Sequence, residues 1–245
     1  MRRLFLPGPI LDTMRLTGSD AHHVGYTLRA KVGDILVAVG ADRQVAEMEV
    51  AAFTKDTVTL CRRAFLAADT EPPVEVGLAV CLLKGEKMDF VVQKAVELGA
   101  SFLQPLKSEN CVVRYDEKKS AARRERWQRV AEEAAKQCGR TMVPPVASIR
   151  SLRGWLAEVS PGAGLFLLYE REERASLRAW LQSQEGRRYI ALVGPEGGFT
   201  PEEAAAAQAA GAVSVTFGPR ILRAETAALA ALAAVMYEKG DWGAA

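Results

Sequence analysis

The stretch Ala191-Leu-Val-Gly-Pro-Glu-Gly-Gly-Phe-Thr200 joins an apolar run to a helix start through a turn that carries a carboxylate between glycines. Tyr189 to Val193 reads as a buried strand, Gly194-Pro195 as its stop, and Thr200 and Pro201 as N-cap and N1 of the next helix. A strand, turn and helix of this kind belong to an α/β sheet, where ligands gather at the carboxyl ends of the strands. The turn does not suit a phosphate. A P-loop ends in Gly-Lys-Ser/Thr and a dinucleotide fingerprint reads G-x-G-x-x-G, neither of which occurs in the chain, and Glu196 opposes an anion. It suits backbone groups packed against a neutral or cationic ligand, or else a tight connection with no further role.

The same device recurs 24 residues on, where Val213 to Phe217 stops at Gly218-Pro219. The segment Phe217-Gly-Pro-Arg-Ile-Leu-Arg-Ala-Glu-Thr226 places Arg220, Arg223 and Glu225 between a buried strand and an alanine-rich helix. Charges grouped at a strand's carboxyl edge cost free energy to desolvate unless they are paired or used.

Outward from these turns, buried-strand runs alternate with helical patterns. Val74 to Leu83 precedes a helix over about 86 to 98, Phe102 to Leu106 precedes a basic helix over about 121 to 138, and Leu165 to Tyr169 precedes 175 to 183. The strands at 189 and 213 precede helices over 201 to 210 and 225 to 237. Five such units predict a largely parallel sheet covered by helices on both faces. Residues 1 to about 70 read differently, as short alternating runs at 4 to 6, 35 to 39, 45 to 50 and 57 to 61, with a helix over 19 to 29 capped by Ser19. That pattern predicts a small β-barrel-like domain, ended by the stiff Pro72-Pro73 linker. The expected domains are 1–70 and 74–245.

Composition excludes several classes. The chain has 245 residues, 49% hydrophobic and 25% charged, with no leader pattern and no apolar run near membrane-spanning length, so a soluble cytoplasmic protein with no membrane segment is expected. Cys61, Cys81, Cys111 and Cys138 are spaced too widely for a zinc or redox motif, and His22 and His23 are adjacent, so no metal is expected. The four cysteines read as reduced, mostly core thiols. Net charge is +2, but Val113 to Arg140 holds nine Lys/Arg against five acids. There Trp127, Val130 or Ala131, Ala134 and Cys138 make an apolar stripe, leaving Arg123, Arg124, Arg126 and Arg129 around the rest, as an RNA-facing or a merely solvated surface. The last helix, from Glu225 to Tyr237, is apolar nearly all round and must be buried on several sides, which fits a homodimer or a monomer that encloses it.

The segments LVGPEGGFTPEE and FGPRILRAETAALAAL together resemble the two C-terminal signatures of the RsmE family, the 16S rRNA uracil-N3 methyltransferases of the SPOUT superfamily. LLKGEKMDFVVQKAVELGA, EEAAKQCGR with the following VPPV, and an N-terminal RRLFL and HHVGYTLRAKVGD resemble it in the same order, so the likeness covers nearly the whole chain. The resemblance implies an N-terminal PUA-like β-barrel joined to an α/β SPOUT domain with a C-terminal trefoil knot, working as a homodimer on 16S rRNA of the small ribosomal subunit. It implies S-adenosylmethionine held by three loops, which fall here on Leu168, Tyr169 and Glu170; on Val193, Gly194, Pro195, Glu196, Gly197 and Gly198; and on Phe217, Gly218, Ile221, Leu222, Arg223 and Thr226.

Methylation at N3 needs the uracil held, its proton removed and the charge on O2 and O4 stabilised. Arg220 or Arg223 is the expected anion stabiliser and Glu225 or Glu196 the expected proton acceptor, structural pairing of these charges being the alternative. Glu196 could equally sit by the sulfonium, by a ribose hydroxyl, or between the loops. For RNA the expected contacts are Arg2, Arg3, His23, Arg29, Lys31 and Arg43 in the first domain, Arg123, Arg124 and Arg126 on the basic helix, and Gln137 and Arg140 in the family-like segment. A different SPOUT specificity, a non-catalytic RNA-binding assembly factor that need not bind the donor, and a nucleotide-cofactor oxidoreductase are the competing readings.

Overall fold

The computed structural model describes residues 3–68, 70–159, 162–169 and 175–242. The chain divides into two units, Met1–Glu71 with Ala135–Met142, and Pro72–Ala134 with Val143–Ala245.

The first unit is built on β1 (Arg3–Phe5), β2 (Thr13–Thr17), β3 (Ile35–Val39), β4 (Val45–Phe53) and β5 (Thr57–Leu66), in the spatial order β1-β3-β4-β5-β2. Only β1 and β3 pair in parallel; the hairpins β3-β4 and β4-β5 and the β2-β5 pair are antiparallel. Alternation sets the faces: Met48, Val50, Val58 and Leu60 enter a core with Leu4, Leu36 and Val24. β2 escapes the sequence reading because as an edge strand it buries only Leu16. The helix expected over 19 to 29 is instead α1 (Gly18–His22), with Thr17 rather than Ser19 at its N-cap, running on as a π-turn over His23–Thr27. Ala135–Met142 falls outside the boundary read at the proline linker. Arg3 Nη1 donates to the carbonyls of Gly139 and Arg140, and Glu71 accepts from Arg140 Nε at 3.1 Å and from the Thr141 amide at 2.8 Å.

The second unit holds β6 (Glu75–Cys81), α2 (Lys87–Glu97), β7 (Phe102–Lys107), α3 (Glu117–Cys138), β8 (Arg150–Ser151), α4 (Leu152–Leu156), β9 (Gly164–Leu168), α5 (Leu177–Ser183), β10 (Arg188–Val193), α6 (Pro201–Ala209), β11 (Val213–Val215) and α7 (Ala224–Lys239). The last turn of α3 groups with the first unit. The six strands are parallel throughout, in the order β11-β9-β10-β6-β7-β8. β6 and β10 sit at the centre and are buried from Val76 to Cys81 and from Tyr189 to Val193, as a sheet covered on both faces requires. Two elements lie below the reach of pattern reading: β8 is two residues long and α4 five, the latter capped by Ser151 Oγ on Gly154 N. α7 follows the edge strand β11 in the chain yet packs on α2, α5 and the central strands β10 and β6, so the chain's last helix returns to the middle of its own sheet.

Candidate active site

Leu168, Val193 and Val215 are register partners, so β9, β10 and β11 end flush at one edge of the sheet. Beyond that edge the two Gly-Pro turns and Tyr169 enclose a cavity of about 1070 Å³. Its wall is Leu168, Val193, Gly194 to Phe199, Thr216 to Arg223, and Lys87 with Ala224 and Ala227 from the helices.

The first turn is fixed at nearly every residue. Gly198 takes φ +69, which a side chain resists, and its amide donates to the Pro195 carbonyl at 3.0 Å. Asn110 Nδ2 donates to the carbonyls of Gly197 and Gly198, both at 3.1 Å, and a Cβ on Gly197 would stand 3.0 Å from that of Asn110. The buried Phe199 ring lies 3.1 Å from where a Gly194 Cβ would be. Thr200 closes a capping box with Glu203, and the Glu203 carboxylate accepts the Glu109 amide at 2.8 Å. The Glu109-Asn110 loop is held in turn by Cys111, whose Sγ lies 3.3 Å from Ser108 Oγ. A hydrogen bond from Cys81 outweighs burial and brings the Cys111 thiol down to about 6, while burial pushes Cys81 up. Both are core thiols, as expected, but Cys61 and Cys138 are half-buried.

Glu196 and Glu225 meet across one lysine. Lys87 Nζ lies 3.4 Å from Glu196 Oε1 and 3.2 Å from Glu225 Oε2. Glu196 Oε1 also accepts the Lys84 amide at 3.1 Å. Burial raises the Glu196 carboxyl, but the Lys84 amide, its own amide and Lys87 overcome this and hold it below the usual range. Lys87 is raised in return, chiefly by Glu225. The Glu225 Oε2 atom is buried and has the ion pair but no aligned hydrogen bond.

The second turn has few such ties. Thr216 Oγ1 accepts the Gly218 amide at 3.2 Å, and Gly218 takes φ +88. Beyond it Arg220 and Arg223 are exposed, Ile221 is 88% exposed, and neither guanidinium has a partner among the described residues. The alternative of structural pairing between these arginines and Glu225 is not what the chain does; Glu225 turns to Lys87.

The match to known proteins follows this geometry. An RNA methyltransferase domain family matches residues 70–236. Ribosomal RNA small subunit methyltransferase E of Bacillus subtilis is 33% identical over 92% of this chain and 90% of its own length. The chain belongs to this family. The Synechocystis member is 33% identical over 96% of this chain and 76% of its own. A crystal structure of the Neisseria gonorrhoeae member bound to S-adenosyl methionine superposes with a TM-score of 0.88 at 32% identity, covering 99% of both chains.

Of the residues that family likeness assigns to the donor, all the described ones line the cavity except Thr226, which is exposed on α7 one position from Ala227. Glu170 and Arg2 lie outside the described residues. Arg220, Arg223 and Glu196 reach the wall, and Glu225 reaches it only through Lys87. Lys84 and Lys87 sit in the LLKGEKMDF motif, but nothing in the sequence pairs them with carboxylates more than 100 residues away. Asn110 carries no local signal at all.

The basic residues scatter. Arg126 is ion-paired with Asp89, Arg124 Nε donates to the Val146 carbonyl at 3.1 Å, and Arg123 lies 5.5 Å over the Tyr115 ring. Arg140 is 4% exposed and bound by Glu71, a position that organises backbone and leaves almost nothing to offer RNA, and Arg3 caps the end of α3. Gln137 is exposed and His23 half-buried within the π-turn. Lys31, Arg29 and Arg43 are exposed, the two arginines at φ +50 and +66, a strained conformation for a non-glycine residue. Among the described residues no cluster could hold a metal ion, and no helix is long and apolar enough to cross a membrane.

Proposed function

We propose that this chain transfers a methyl group from S-adenosylmethionine to N3 of a uridine in 16S rRNA of the small ribosomal subunit, acting in the cytoplasm as a homodimer. The observation that carries the reading is the pairing of a fixed, glycine-rich turn with an open, arginine-bearing one over a single cavity at the ends of three parallel strands. The cavity is at the large end of the small-molecule range of roughly 300 to 1,000 Å³. That leaves space for a base beside the donor. Leu168, Val193 and Phe217 offer an apolar slot, and Gly194 and Gly197 let the main chain of the turn pack close against Phe199 and Asn110, which hold it in place.

When bound, S-adenosylmethionine supplies an electrophilic methyl on a sulfonium. The first turn holds that donor. Arg220 and Arg223, without an ion-pair partner among the described residues and lining the cavity, hold O2 and O4 of the uracil as negative charge grows there. Bond formation to N3 releases its proton, for which Glu196 and Glu225 are the candidate acceptors: Glu196 reaches the cavity wall but is tied by the Lys84 amide and held acidic, and Glu225 connects to the wall through its ion pair with Lys87. Glu196 also serves to brace the turn. Residues 1–70 act as a PUA-like barrel that binds RNA through Arg29, Lys31 and Arg43, and 74–245 as the methyltransferase domain. The inward return of α7 is read as the threaded segment of a trefoil knot, and its exposed Tyr237 as part of the dimer face.

The test uses label transfer. Protein, labelled S-adenosylmethionine and 16S rRNA, free or in subunits, are incubated and the RNA is reverse transcribed. A methyl on N3 removes the pairing proton and stops the polymerase at one uridine. Donor binding without any transfer to RNA would turn the assignment to a non-catalytic RNA-binding factor.

A further inference from the structure

A second cavity, of about 350 Å³, opens on the same edge of the same sheet and shares no residue with the first. The first lies at the ends of β9, β10 and β11; this one lies where β6 ends before Leu82, where β7 ends at Lys107, and at Arg150 and Ser151 of β8. The first two turns of α3 and Tyr115 close it. Since the middle strands of the two groups, β9 and β7, are three places apart and neighbouring strands stand about 4.8 Å apart, the cavity centres are separated by roughly 14 Å along the edge. A strand of RNA laid along this edge with its target base in the first cavity would pass the second within a few nucleotides.

The charges around it are not used up. Lys107 is exposed and has no partner among the described residues. Arg124 spends Nε on the Val146 carbonyl, which fixes the guanidinium, and neither Nη group has a partner among the described residues. Arg150 is committed, to the Gly154 carbonyl at 2.9 Å and to Glu158 at 2.7 Å. Glu117 is the one acid on the wall. A fixed Arg fork beside a free ammonium, next to a tyrosine ring in a nucleotide-sized hollow, matches a phosphodiester: one charge, two free oxygens, and a sugar and base attached. A plain solvated groove needs neither the fixed fork nor the concave wall.

We infer that this cavity holds one backbone phosphodiester of the RNA flanking the target base, with Lys107 and Arg124 taking its oxygens and Tyr115 lying against the attached nucleoside. The assignment rests on the RNA methyltransferase reading. Lys107→Gln is the clean variant, because the Lys107 side chain bonds no other described residue. It should raise the Kd for 16S rRNA roughly five- to tenfold near physiological salt and lower the slope of log Kd against log salt by about 1. Affinity for S-adenosylmethionine and the single-turnover rate at saturating RNA should stay at wild-type values, and Lys107→Arg should restore binding. An unchanged Kd and slope in Lys107→Gln, on an enzyme whose wild type methylates RNA, would overturn the site alone; a wild type that binds no RNA would overturn the site and the methyltransferase reading together. Inorganic phosphate that protects the wild type but not Lys107→Gln from heat, with equal RNA affinity in both, would make this a free-anion site and overturn the assignment to RNA.

Discussion

The two Gly-Pro turns share a sequence signature and a place at the sheet edge, yet they are built in opposite ways. Pro195 is buried, and the carbonyls of Gly197 and Gly198 and the carboxylate of Glu196 are each held from elsewhere in the unit. Around Pro219 the chain is exposed from Gly218 to Ile221, and among the described residues Thr216 ties it, at Gly218. A preorganised turn binds a rigid ligand without ordering cost. An open one bearing two arginines waits for something that brings negative charge. On the proposed function, the first turn serves the donor, and Arg220 and Arg223 of the second serve the RNA base.

The comparison breaks most readily at Gly197. Valine there drives a branched side chain into Asn110, not into the ligand, and so displaces the group that holds two carbonyls of the turn. Affinity for S-adenosylmethionine should fall on the order of a hundredfold, about 2.7 kcal/mol. Calorimetry reads this directly, and unchanged affinity would remove the first turn from the donor site. Arg220→Lys and Arg223→Lys come next. Each keeps a charge but loses the planar fork, so single-turnover methylation should drop roughly ten- to a hundredfold while donor Kd stays within about twofold. A parallel loss of donor binding would erase the distinction between the turns.

A smaller effect is expected at Lys87, where methionine leaves Glu196 and Glu225 facing each other without their cation. Donor affinity should weaken roughly fivefold, because the carboxylate that braces the turn loses one of its ties. No change would show the Lys84 amide to be brace enough. The smallest effect belongs to pH. The Glu196 carboxyl is lowered in the fold, so its contribution is present above the ordinary carboxylate pKa near 4.3 and is lost as pH falls through the lower folded value. The melting temperature of the wild type should therefore fall more steeply than that of Glu196→Gln between about pH 5 and pH 3. Parallel curves would mean that the carboxylate stabilises nothing.

Much of this was legible in the chain because it depends on local chemistry. Thr200-Pro201 states a helix start, and the capping box with Glu203 is there. Gly194 to Gly198 and Gly218 to Arg223 announce an edge site, and they line one cavity. What was not legible comes from long-range pairing. Asn110, Lys84 and Lys87 act on groups between 87 and 138 residues away, and no local pattern marks a lone asparagine or a lysine at a helix start. On the basic helix, charge density overstates the free surface: Arg126 answers Asp89, as Arg140 beyond the helix answers Glu71, partners visible only in the fold. A triple alanine variant of Arg123, Arg124 and Arg126 thus mixes RNA contacts with structural ones.

The most direct measurement is the single-turnover methylation rate of Gly197→Val and Arg220→Lys as the concentration of S-adenosylmethionine is raised to saturation. A turn that only holds the donor is compensated by more donor, whereas a group that stabilises the reacting base is not. Saturation should bring Gly197→Val back toward the wild-type rate and leave Arg220→Lys at least tenfold slow. Rescue of both variants, or of neither, would contradict the division of labour between the two turns.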